Sequence, residues 1–198
     1  MGLITQGAAV LRHSIELAHS KNSRYDYQMY ALIHPSAKEC SSTISKLGYT
    51  TLIRNTPFEA TDIQTKFLRE NIDGASCCGR KEYIKLYAYT LVQHPVAVVL
   101  DLDSLILQPL DDLFDVLIDG GKISSTKNNY NNIPLHNGGG DDSKNNMHDA
   151  KRNWTNIEAF YTRDYNMVNP GGERYAGVQG GFLMVKPSEQ VFEVRNGS

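Results

Sequence analysis

An α/β fold with a doubly wound arrangement is what this chain of 198 residues predicts, and three observations lead there. Apolar stripes at helical spacing alternate with short strand-like runs along the first half of the chain. The strand, helix, strand order requires a right-handed crossover when the strands are parallel. The run Val96-Ala97-Val98-Val99-Leu100 is uncharged and rich in valine, as a strand buried on both faces should be, and it ends in two carboxylates, Asp101 and Asp103. The length suits one domain, able to bury roughly 70% of its unfolded surface.

Taken in order, the stretch 8–18 carries an apolar helical stripe through Ala8, Leu11, Ile15 and Ala18. Residues 26–33 read as a strand whose apolar end, Met29 to Ile33, is half buried. His34-Pro35-Ser36 turns the chain, Ser36 is placed to cap a helix over 37–47 with Glu39 completing a capping box, and Gly48 ends it. A strand over 49–53 follows. Residues 83–91 return to helical spacing, Gln93-His94-Pro95 breaks the helix, and the valine-rich strand begins. Beyond the carboxylates, Gln108-Pro109-Leu110-Asp111-Asp112 is a proline-led turn into an acidic helix start.

Between 119 and 176 the composition shifts to Asn, Gly, Asp and Lys, with Asn128-Asn129-Tyr130-Asn131-Asn132 and Gly138-Gly139-Gly140 as its extremes. Little of it can form a core, and so long an internal stretch is either a lid or an insertion. Trp154, Ile157, Phe160 and Tyr161 are spaced for one amphipathic helix that anchors its second half. There is no internal repeat.

Composition narrows the partners. A net charge of −2 and a pI near 6.3, with no Lys/Arg block, give no electrostatic footprint for nucleic acid or an anionic membrane. No apolar run approaches the ~20 residues that cross a bilayer, and the first residues lack the pattern of a signal peptide, so the chain is expected to be soluble as it stands, with no membrane segment. Gln6 breaks the myristoylation pattern that Met1-Gly2 begins. Cys77 and Cys78 are adjacent and cannot pair with each other without strain, so the cysteines read as reduced, or at most one of the two bridged to Cys40. The histidines are scattered without zinc-ligand spacing. Two sequons, at Asn153 and Asn196, have meaning only in a secretory compartment.

The chemistry-bearing residues lie around the acidic pair. Alternation along a strand would put Asp101 and Asp103 on one face with Leu102 facing away, so that two carboxylates converge beyond a strand C-terminus, where a divalent cation can be held against a phosphate. The plain alternative is a solvated strand end. Gly180-Gly181 ahead of an apolar strand reads as a β-bulge and also as close backbone approach to a ligand.

Two blocks together resemble the family 8 glycosyltransferases, the group that contains glycogenin and galactinol synthase. Lys85-Leu86, Leu91, Gln93, Val98, Asp101-x-Asp103, Leu105, Leu107 and Asp111-Asp112-Leu113-Phe114 resemble the heart of that family. The run 177–188 resembles its sugar-contacting strand, with Gln179-Gly180-Gly181 where Asn-Ser-Gly is more usual. The resemblance implies the GT-A fold, with a Rossmann-like, mostly parallel sheet and flanking helices. It implies metal-dependent, retaining transfer of a hexose or uronic acid from a UDP-sugar to a carbohydrate or protein acceptor. Mn²⁺ or Mg²⁺ would be held by Asp101 and Asp103, and the donor would contact Lys85, Asp101, Leu102, Gln179, Gly180 and Gly181. The substitution of Gln179 for Asn leaves the donor sugar open, and the compartment stands between cytoplasm and Golgi lumen.

The resemblance spans most of 8–195, with strong motifs only in 83–114 and 177–188. The family's first strand, its Asp-Gln segment near the acceptor and its His-x-x-Gly-x-x-Lys-Pro-Trp motif have no counterpart here. Residues 1–198 therefore read as a single incomplete domain cut at both ends, with no catalytic nucleophile to nominate and His136 and His148 as stand-in candidates to close the metal site. Two other classes share the motif. One is a non-catalytic or degenerate sugar-nucleotide binder. The other is a phosphatase of the haloacid dehalogenase type, whose Asp-x-Asp usually continues with Gly-Thr where Ser104-Leu105 stands here.

Overall fold

Helix α1 (Gly2–His19) buries the stripe read from the sequence, with Ala8, Leu11 and Ala18 all nearly inaccessible. The computed structural model describes residues 2–74, 79–119, 157–164 and 177–194. After α1 the chain forms strand β1 (Tyr30–Ile33), a 3₁₀ turn over Pro35–Cys40, helix α2 (Ser41–Lys46) and strand β2 (Thr50–Ile53). The two strands pair in parallel, Tyr30 opposite Thr50 and Ile33 opposite Ile53, with α2 as the crossover. Ala8, Cys40, Ile44 and Tyr49 pack into one core beneath this pair. The Tyr49 hydroxyl donates to the Ala8 carbonyl at 2.7 Å, which ties α1 to the strand end without leaving a polar atom unpaired. Gly48 ends the helical segment with φ +89°, a conformation that L side chains resist.

Two local expectations are corrected here. The first strand covers only its apolar end, because residues 26–29 precede the parallel register that begins at Tyr30. Ser36 is not the cap. Pro35 takes the first helical position, for which its fixed φ is suited, so His34 becomes the cap and its Nδ1 accepts from the Ser36 N–H at 3.2 Å. The Ser36–Glu39 capping box therefore does not form.

Further along lie a short turn at Ala60–Asp62, helix α3 (Lys66–Asn71), a turn at Ile72–Gly74 and a long 3₁₀ helix over Gly79–Thr90. Strand β3 (Ala97–Leu100), helix α4 (Asp111–Ile118), strand β4 (Ala159–Asp164), strand β5 (Gly177–Val185) and helix α5 (Glu189–Val194) complete the described chain. A second sheet has the order β3-β5-β4, with both pairings antiparallel. Its core gathers Ala88, Tyr89, Ala97, Leu183 and Val185, with Phe192 of α5 packed against it.

The molecule is thus a mixed α/β protein in which a small parallel pair and an antiparallel three-stranded sheet stand side by side in the chain order. Among the described residues, parallel pairing is confined to β1 and β2. The helix expected through Phe160 and Tyr161 is a strand instead. These residues pair with Met184 and Leu183, and the ladder to a buried neighbour outweighs a helical spacing carried by so few apolar positions. Trp154, Cys77, Cys78, His136 and His148 lie outside the described residues, as do 120–156 and 165–176 of the Asn/Gly-rich stretch. Among the described residues no helix is long and apolar enough to cross a membrane.

Candidate functional site

Strand β3 stops at Leu100. The Asp101 N–H makes one more rung, donating to the Gly181 carbonyl at 3.1 Å, and the chain then turns, the Ser104 N–H closing on the Asp101 carbonyl at 3.0 Å. The strand alternation expected for Asp101 and Asp103 therefore does not apply. The carboxylates are carried on a tight turn, with Asp101 at its entrance and Leu102 and Asp103 exposed at its apex. α1 backs this turn: a Cβ on Gly7 would lie 3.2 Å from the Leu102 carbonyl oxygen and 3.3 Å from its Cβ.

Lys85 reaches the turn from the 3₁₀ helix. Its Nζ lies 2.7 Å from Asp101 Oδ1, donates to the Gly180 carbonyl at 3.1 Å and also pairs with the Glu82 carboxylate. The glycine pair explains why a carbonyl is available. Between Tyr161 and Thr162 the β4–β5 register shifts, so that Tyr161 faces Leu183 while Thr162 faces Gln179, and the segment 180–182 leaves the β4 ladder as a bulge. Phe182 still pairs with Leu100 and Gly181 still bonds Asp101, which leaves the Gly180 carbonyl turned to Lys85. A Cβ on Gly180 would stand 3.4 Å from the ammonium.

Lys85, Asp101, Gly180 and Gly181, taken from two sequence blocks far apart, are thus brought into one cluster. Leu102 and Asp103 adjoin it on the turn, and no hydrogen bond or ion pair joins Asp103 to another described residue. Gln179 belongs to β5, opposite Thr162, and its side chain lies outside the described residues. Glu82 is the member that sequence reasoning passed over. Its signal was the spacing Glu-x-x-Lys on a helix, which sets both side chains on one face.

The electrostatics follow from the contacts. Burial works against the charged form of Lys85, whose side chain is only 19% exposed, but the hydrogen bonds it donates to Asp101 and then to Glu82 outweigh it and raise the lysine above its ordinary value. One ammonium between two carboxylates leaves the cluster net negative, with Asp103 adding to that sign nearby. Such a site attracts a cation first. Among the described residues no three His, Cys, Asp or Glu side chains are placed to hold a metal ion together. Two carboxylates on one turn are too few for a closed cage of protein ligands, so a hard cation held there would draw most of its ligands from elsewhere.

Asp111, another residue of the acidic blocks, does different work. It is 5% exposed, accepts from Ser23 Oγ at 2.8 Å and from the Arg24 N–H at 2.7 Å, and so pins the loop after α1 to the start of α4. Arg24 and the Tyr25 hydroxyl extend the contact to Asp115, at 2.5 Å and 2.6 Å.

No family model, curated protein or solved structure matches this chain.

Proposed function

We propose that this chain is a GT-A-type domain of a metal-dependent, retaining glycosyltransferase that takes a UDP-sugar as donor, resembling the family 8 enzymes. The observation that supports this reading is the convergence of Lys85, Asp101 and the Gly180–Gly181 bulge, residues nominated from two separate motifs and joined at hydrogen-bond distance. Transfer from a nucleoside diphosphate is opposed by charge that builds on the departing diphosphate. A divalent cation on Asp101 and Asp103 would supply the Lewis acid for that charge. Lys85 then adds a fixed positive charge beside the same oxygens, and its bond to Asp101 keeps it aimed there before any donor arrives. At Gly180 the backbone comes close to the lysine, and a side chain there would start at van der Waals contact with the ammonium.

Isothermal titration of the chain with UDP, with and without Mn²⁺, tests the reading. The expected outcome is UDP binding that depends on Mn²⁺ and falls at least about tenfold in Asp103→Ala, a loss of about 1.4 kcal/mol. Equal affinity with and without the metal would overturn it. Mn²⁺-dependent binding without release of UDP from any UDP-sugar would instead mark a sugar-nucleotide binder, and release of phosphate from an aryl phosphate would mark a phosphatase.

A further inference from the structure

We infer that the outer face of α1, together with the segment 105–107 laid beside it, is the interface through which two copies of this chain associate about a two-fold axis at Val10. Leu3, Val10 and Leu17 follow one another at intervals of seven residues on α1, which sets them in a single stripe about 21 Å long. The stripe looks away from the core. Its members are 52–86% exposed, while Ala8, Leu11 and Ala18 of the same helix are buried.

The chain beyond the carboxylate turn widens the stripe into a patch. Gly7, Ser14 and, just past the helix, Lys21 make the neighbouring row, and the chain from Leu102 to Leu107 runs along it. The Ile106 N–H donates to Ser14 Oγ at 3.1 Å, and Lys21 Nζ donates to the Leu107 carbonyl at 2.9 Å. Ile106 faces the interior, while Leu105 and Leu107 on either side of it are more than half exposed. Val10 and Leu17 flank Ser14 on the helix as Leu105 and Leu107 flank Ile106 on the segment, so the exposed residues of both pieces meet around one hydrogen bond.

The area is that of a dimer contact. Five large apolar side chains open on the order of 500 Å², near the upper end of what a soluble monomer leaves uncovered. A standard interface takes about 800 Å² from each partner, of which about two-thirds is apolar in homodimers. The five residues supply that apolar share, and Gln6, His13 and Ser20, exposed along the far side of the stripe, supply a polar rim. Spacing selects the occupant. Leu3 and Leu17 each lie seven residues from Val10, so a copy turned through 180° about Val10 lays its Leu17 over Leu3 and its Leu3 over Leu17. Val10 then meets its own counterpart. A lipid surface fits less well, because the cations beside the patch are taken, Lys21 by the Leu107 carbonyl and Arg12 by Glu16.

Sedimentation velocity of the full chain, with Val10→Asp and Val191→Asp beside it, tests this. The parent should pass from monomer to dimer between about 1 and 100 µM. Val10→Asp should raise the dissociation constant at least about tenfold by setting two carboxylates on the axis, and should keep the parent's helical circular dichroism, since Val10 is an exposed position. Val191→Asp, at an exposed apolar position of α5 on the second sheet, should leave association unchanged. Val10→Cys reads the geometry directly: mild oxidation should give more disulfide-linked dimer than the parent or Val191→Cys yields, because a residue on the axis meets itself. A parent that stays monomeric at about 100 µM, a dimer that Val10→Asp leaves intact, or no excess cross-link from Val10→Cys overturns the inference. Flotation of the chain with phosphatidylcholine vesicles in place of self-association also overturns it and makes a lipid surface the occupant.

Discussion

Lys85 holds three acceptors on three separate pieces of chain, Glu82, Asp101 and Gly180, so its removal should be felt in stability as well as in binding. Lys85→Met keeps the aliphatic stem and leaves Asp101 without its partner. A loss of about 1–2 kcal/mol in urea unfolding is expected, since Asp101 is 40% exposed and water recovers part of what the lysine gave. Asp103→Asn, at an exposed apex with no described partner, should leave the urea midpoint unchanged while weakening Mn²⁺-dependent UDP binding. The raised lysine also sets a pH limit. A group whose folded value lies above its unfolded one contributes fully below the unfolded value, near 10.4, and is lost as the pH rises through the folded value. The Lys85 contribution should therefore be constant from neutral pH to about pH 10 and fall beyond it, a fall that Lys85→Met abolishes.

At the scale of elements, the loop after α1 is docked on α4 by a cluster separate from the one around Lys85. Asp111→Ala should cost about 2–3 kcal/mol, because it strands the Ser23 hydroxyl and the Arg24 N–H near a buried position, yet leave UDP affinity as it was. Tyr25 gives the same contact a pH signature. Its bond to the Asp115 carboxylate, aided by burial, pushes the phenol up to about 12, so the folded state holds a proton that the unfolded chain has lost from about pH 10 upward. Stability should fall between about pH 10 and 12, and Tyr25→Phe should flatten that part of the profile. These elements also show what the sequence could disclose. The α1 stripe, the Gly48 stop and the acidic start of α4 were legible because each rests on neighbours within one or two turns. Phe160 and Tyr161 were misread because a strand held by a partner some twenty residues away has no local mark, and Asp101 and Asp103 because a strand's end is set by where its neighbour lets go. Lys85, Asp101, Gly180 and Gly181 were nominated from motif likeness alone. Their juxtaposition, and the part of Glu82 in it, needed the β3–β5 register.

For the molecule as a whole, the resting acidic cluster carries its own counter-charge in Lys85, so a metal is not needed to hold the fold. Chelator added to the free chain should leave its melting temperature within about 1 °C, whereas Mn²⁺ and UDP together should raise it, by the equivalent of about 2.7 kcal/mol when UDP stands at 100 times its dissociation constant. Thermal scans in the four combinations of chelator, Mn²⁺ and UDP measure this directly, and a drop on chelation alone would place a structural cation in the molecule.

The bare backbone of Gly7 behind Leu102 has a consequence for the carboxylates in front of it. The turn that carries Asp101 and Asp103 rests on a helix rather than on water, and the clearance is less than a methyl group requires. Gly7→Ala, though it touches neither acid, must push the turn or α1 aside by a few tenths of an ångström. The spacing of the two acids would then be set from the rear, and choice among cations of different radius should be the property that shifts. Competition of Mg²⁺ against Mn²⁺ in Gly7→Ala and in the parent chain would read that spacing as a change in their ratio, with both aspartates still in place.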